Sequence, residues 1–99
     1  MTKYHLTNKA TSDLLDIWDY TAETWFKGQA EKYYNQLIGT CKQITENPEI
    51  EKEYFEVKKK LLGLKTGRHI IFYETLNKNE VKVIRILHER MDLENRISE

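Results

Sequence analysis

Residues 3–7 alternate polar and apolar side chains, with Tyr4 and Leu6 on one side, which predicts a short strand. Thr7, Asn8, Thr11 and Ser12 follow, each able to cap a helix. Ala10, Leu14, Ile17, Trp18, Thr21 and Trp25 then recur at intervals of three and four. Asp13, Asp16, Asp19 and Glu23 lie largely off that stripe. The spacing predicts an amphipathic helix to about Trp25, with acids near its positive N-terminal end. Phe26, Lys27 and Gly28 break the pattern. A second stripe of Ala30, Tyr33, Tyr34, Leu37, Cys41 and Ile44 stops at Asn47 and Pro48. Proline pushes the residue before it out of the helical region. A break this short makes two antiparallel helices.

Residues 49–60 are charged and show no clear period, although Tyr54, Phe55 and Val57 can anchor them to a core. From Leu61 the period shortens. Residues 61–65, 68–74 and 81–88 are rich in β-formers. Thr66 with Gly67, and then residues 77–79, are turn signals between them. Three strands joined this way form an antiparallel meander. The predicted class is α+β in the order β-α-α-β-β-β, a helical hairpin packed on a small, curled, mainly antiparallel sheet. Leu14, Trp18, Leu37, Ile44, Ile71, Tyr73, Ile84 and Ile86 are the expected core. His5 is expected on the surface of the first strand.

A chain of 99 residues holds one hydrophobic core, so residues 1–99 are expected to form a single domain, with 93–99 as a polar tail. The one cysteine, Cys41, has no partner for an internal disulfide and lies on an apolar stripe, so it belongs to the core. No run of about 20 apolar residues is present to span a membrane, and the first 15 residues lack the apolar stretch of a secretion signal. A cytoplasmic location is the expectation. The net charge of zero hides an asymmetry. Residues 57–90 carry nine basic and three acidic side chains, against six and ten in residues 1–56. Such a basic segment suits an acidic partner, either nucleic acid or an acidic protein segment.

Metal-binding, phosphate-loop and nucleophile motifs are all missing, so neither a metal nor a cofactor is expected. The basic residues Lys58, Lys59, Lys60, Lys65, Arg68, Arg85 and Arg90, with His88, leave one chemistry open. A metal-free ribonuclease needs a general acid and base, and cations around the phosphorane. His88 can titrate near neutrality, and Arg68, Arg85 and Arg90 can stabilise charge. Strand alternation argues against it. Ile84, Ile86 and His88 share one side of a regular strand, and Arg85 and Leu87 the other. An Arg85 paired to Glu74 or Asp92, with His88 closing the core, explains the same residues.

Leu6 and Thr7 at a helix start, Asp13 with Leu14, Tyr20 with Thr21, Trp25, Gln29 with Ala30, and Asn47 with Pro48 form a pattern with two longer segments. These are residues 68–73, Arg-His-Ile-Ile-Phe-Tyr, and residues 85–92, Arg-Ile-Leu-His-Glu-Arg-Met-Asp. Together they resemble the ParE toxins of the RelE/ParE superfamily, from about Tyr4 to Asp92. The resemblance implies a bacterial toxin encoded beside a ParD-like antitoxin, whose flexible C-terminal segment wraps and neutralises it. It implies DNA gyrase as the target, inhibited by binding, with no direct nucleic-acid binding by the toxin alone. The RelE branch instead cuts mRNA on the ribosome, with Arg68, Arg85, His88 and Arg90 as the residues for that activity here. The end of this chain favours ParE, because it holds neither aromatic nor histidine and carries net negative charge. A third reading is a homologue that binds antitoxin without toxicity. Lys60, Lys65, Arg68 and Arg90 are the target-binding candidates. Trp25, Phe26 and Tyr34 are the antitoxin-binding candidates. Phe26 stands where ParE-like sequences often have glycine, so the turn between the helices is expected to differ in detail.

Overall fold

The computed structural model describes residues 3–46, 52, 53, 61–77 and 80–91. Its elements are β1 (Lys3–Leu6), α1 (Asn8–Thr24), α2 (Lys27–Glu46), β2 (Lys52–Glu53), β3 (Leu62–Thr66), β4 (His69–Asn77) and β5 (Glu80–His88). The helices form a hairpin on one face of a five-stranded sheet of order β1-β5-β4-β3-β2. The pairings are antiparallel except that of β1 with β5. The α+β class and the order of helices and main strands are as expected; β2, two residues long, falls in the segment without a period.

Thr7 caps α1, its hydroxyl accepting from the Ala10 N–H at 3.0 Å. Because the cap is the first of the available residues, the first turn contains no acid. The acids begin at Asp13, one turn later than the helix-dipole reading supposes. Trp25 and Phe26 alone separate the helices, and Gly28 lies inside α2. α2 ends at Glu46, just before Asn47 and Pro48.

The core between helices and sheet contains Leu14, Leu37, Cys41, Ile44, Ile71, Tyr73 and Ile86, with Val81 and Val83. Burial raises the Cys41 thiol to about 11, so it stays protonated and serves as a small apolar side chain. Two expected core residues are placed differently. Trp18 is half-buried, lining a furrow with Leu15 and Tyr34 on the outer face of the hairpin. Ile84 is half-buried and packs with Leu61, Ile70, Phe72 and Leu87, a separate cluster from that of Ile86. The cause is a register shift: Phe72 faces Arg85, but Tyr73 faces Val83, so Ile84 is an extra residue in β5. A bulge breaks the period of two, and with it any assignment of faces from alternation.

Candidate functional site

β1 accompanies β5 only as far as Val83, opposite Leu6. Beyond it, α1 runs beside the open edge of β5. The Thr7 N–H donates to the Val83 carbonyl at 3.1 Å and its hydroxyl to the Ile84 carbonyl at 2.7 Å. Six residues on, Asp13 accepts the Ile86 N–H at 3.0 Å. The same carboxylate takes two bonds from the Arg85 guanidinium, Nε to Oδ2 at 2.8 Å and Nη2 to Oδ1 at 3.0 Å. Arg85 is therefore paired with Asp13, not with Glu74; Asp92 lies outside the described residues. The partner is on a helix 72 positions away, so strand spacing could not point to it.

Two histidines stand opposite each other at the neighbouring ends of β4 and β5. The rings of His69 and His88 are edge to face, with centroids 5.2 Å apart. Tyr33, from α2, holds the pair in place. Its hydroxyl accepts the Arg68 backbone N–H at 3.1 Å and lies 2.6 Å from His69 Nδ1. Burial, then the neighbouring His88, pushes the His69 imidazole down to about 4, so it is neutral at physiological pH. Burial raises Tyr33 above the usual phenol value, so it keeps its proton and can donate to His69 Nδ1. The approach of Tyr33 requires Gly67 in the β3–β4 turn. A Cβ at Gly67 would lie 2.7 Å from the Tyr33 hydroxyl, and its φ is +59°. His88 Nδ1 accepts the Arg90 N–H at 3.1 Å.

A hollow of about 300 Å³ opens beside the histidine pair, between α1 and the ends of β4 and β5. Asp13, Asp16, Ile17 and Tyr20 form its helical wall, and Ile86, His88, His69 and Met91 the rest. Sequence reasoning named none of Asp16, Tyr20 and His69 as site residues. Their separations along the chain carry no metal or catalytic spacing; the signals that existed were a free acidic face on the first helix and His69 within the segment of strongest resemblance.

The expected nuclease set does not converge. Arg85 does not line that hollow; with Lys9, Ser12 and Leu87 it lines an adjoining one, which shares Asp13, Asp16 and Met91 with the first. Arg68 is exposed and 3.9 Å from Glu89, which Lys65 also reaches at 2.8 Å. The Lys65 contact chiefly lowers the Glu89 carboxyl below the usual range. Arg90 is exposed just past β5. Lys58, Lys59 and Lys60 lie outside the described residues, as do Tyr54, Phe55 and Val57. The candidates for the antitoxin are elsewhere: Trp25 and Phe26 are 68% and 61% exposed at the hairpin turn, an unusual position for aromatics. Tyr34, 38% exposed, lies along the furrow with Leu15 and Trp18. His5 is on the surface of β1, bonded to Glu80 at 2.8 Å. Among the described residues no cluster of three metal-ligating side chains occurs, and no helix is long and apolar enough to cross a membrane.

Residues 4–93 match the family model described as the ParE toxin of the type II toxin–antitoxin system parDE. A toxin named ParE1 from Mycobacterium tuberculosis is 31% identical over 96 residues, covering 97% of this chain and 98% of the relative. Among solved structures, a chain of a chromosomal ParDE toxin–antitoxin system from P. aeruginosa superposes with a TM-score of 0.75. It is 18% identical, over 89% of this chain and 96% of its own. A chain of the RelBE2 toxin–antitoxin complex from Mycobacterium tuberculosis gives 0.65 at 12% identity, over 88% and 96%. At those identities the structural neighbours show the fold.

Proposed function

This chain belongs to the ParE toxin family of type II toxin–antitoxin systems, and we propose that it inhibits DNA gyrase by binding and is neutralised by a ParD-like antitoxin. The family is the ground for both partners. The binding mode, rather than RNA cleavage, rests on the hollow into which His88 opens: Asp16, a carboxylate with no ion-pair partner among the described residues, lines it. A scissile phosphate brings negative charge to the acid–base group, and cleavage adds more at the phosphorane. A wall bearing an unpaired carboxylate repels it. Arg85 cannot compensate, since its guanidinium is spent on Asp13. The cations left near this end, Lys65, Arg68 and Arg90, are exposed and suited to an acidic protein surface. We place the gyrase contact there, with Lys60 as a further candidate, and assign the exposed aromatics Trp25, Phe26 and Tyr34 to the antitoxin. The toxin would act in the bacterial cytoplasm as one domain, without cofactor.

The competing reading is a RelE-type mRNA endonuclease, a reaction that the shared superfamily fold leaves open. Purified protein is added to gyrase with relaxed plasmid and, separately, to programmed ribosomes. Loss of supercoiling with intact mRNA supports gyrase binding. Site-specific mRNA cuts with undisturbed supercoiling overturn it.

A further inference from the structure

The hollow beside the histidine pair has the chemistry of a receptor for a cationic side chain. Its floor and one wall are apolar: Ile86 is 2% exposed and Ile17 half-buried, and Met91 stands at the mouth. Asp16 is exposed on the helical wall, with no ion-pair partner among the described residues. Tyr20, one turn further along α1 and 68% exposed, lines the same wall. A carboxylate and an aromatic face four residues apart on a helix lie on one side of it. Arginine and lysine fit such a lining, with the aliphatic stem on apolar surface and the charged head on carboxylate and ring. His69, being neutral, adds no competing charge.

We propose that the Asp16–Tyr20 hollow docks an arginine or lysine side chain of the antitoxin. The inference deepens the antitoxin reading above and rests on it. It also reverses, at this place, the charge expected of the partner from the basic segment 57–90. That segment is partly neutralised within the fold: Lys65 and Arg68 face Glu89, and Arg85 faces Asp13. Charge complementarity at the hollow therefore asks for a base, carried on a partner segment that is acidic elsewhere or neutral.

The test titrates the small protein encoded beside this chain into the full-length toxin by calorimetry. Four variants are compared with the parent: Asp16→Lys, Asp16→Asn, Tyr20→Leu and, as control, Asp19→Lys. Asp19 is exposed on α1 but does not line the hollow. Asp16→Lys is expected to weaken binding about tenfold or more, since it sets like charges together. Asp16→Asn and Tyr20→Leu should each weaken it about threefold or more, and Asp19→Lys by less than about twofold. Thermal melts confirm that each variant folds, as exposed positions allow. Parent-like affinity in both Asp16 variants overturns the proposal. So does a homodimer, seen by light scattering, that Asp16→Lys dissolves without changing antitoxin affinity; the base would then come from a second copy. A parent toxin that does not bind the neighbouring protein overturns the antitoxin reading itself, a result distinct from either.

Discussion

Asp13 clasps Arg85 across 72 residues, and the pair joins α1 to β5 beyond the point where β1 stops pairing with it. The side chains are 12% and 9% exposed. Asp13 also accepts the Ile86 N–H, so one carboxylate serves three donors from β5. The clasp fixes one wall of the hollow and commits two nitrogens of the Arg85 guanidinium to Asp13.

Breaking the clasp from one side should be costly. Asp13→Ala leaves a buried guanidinium without its counter-charge and an edge N–H without its acceptor. The expected loss is about 3–5 kcal/mol, measured by urea denaturation. Replacing both partners, as Asp13→Leu with Arg85→Met, should cost less than Asp13→Ala alone, because no unpaired charge remains. A double variant as unstable as the sum of its singles would show that the two side chains act independently.

Leu37 is fully buried on α2 between the helices and the sheet. Leu37→Ala should cost about 2–5 kcal/mol, through lost burial and the cavity left behind. A denaturant midpoint unchanged within error would contradict this placement.

Much of the architecture is legible without coordinates, and for local reasons. The stripes on α1 and α2, the Thr7 cap, the stop before Pro48 and the period change after Leu61 are written in neighbouring residues. The site is written elsewhere. Tyr33 meets His69, and Asp13 meets Arg85, only once the chain has folded, and no spacing encodes either meeting. The bulge at Ile84 is a one-residue event in the pairing of two strands. Regular alternation misplaces Ile84 for that reason, while Ile86, Leu87 and His88 beyond it keep their relative order. Trp18 shows a different limit: it lies on the apolar stripe, but at its margin, facing the outer furrow.

Gly67→Ala should destabilise the fold by about 1–2 kcal/mol from the left-handed backbone alone, and further through the collision with Tyr33. Gly67→Ala in a Tyr33→Leu background should recover part of that loss. Thermal melts of the two single variants and the double variant test it, and equal penalties in both backgrounds would remove Tyr33 from the account.

His69 gives stability a pH dependence of definite sign. Its folded value of about 4 lies below the ordinary 6.5, so between the two the unfolded chain binds more protons. The contribution is complete above the ordinary value and is lost as pH falls toward the folded one. Denaturation midpoints should therefore drop between about pH 7 and about pH 4. His69→Gln should flatten the part of that slope near the histidine range, leaving the carboxylate part below it.

The sharpest division between binder and nuclease lies at His88 and Arg90. A general acid–base contributes about 100-fold to 10,000-fold to a rate, so a catalytic His88 could not be replaced quietly. His88 instead accepts the Arg90 N–H through Nδ1 and packs its ring edge to face with His69, both structural duties. His88→Gln keeps a polar side chain of similar reach. The parent and His88→Gln should both leave mRNA intact on programmed ribosomes, and the parent should inhibit gyrase. Arg90 is exposed and carries its charge beyond the end of the sheet, where an acidic target surface could meet it. Arg90→Ala should weaken gyrase inhibition more than His88→Gln does, and added salt should weaken the parent in the same direction. Ribosomal mRNA cuts by the parent that vanish in His88→Gln would transfer the toxin to the nuclease branch, and inhibition unaffected by Arg90→Ala or by salt would move the gyrase contact away from this end of the sheet.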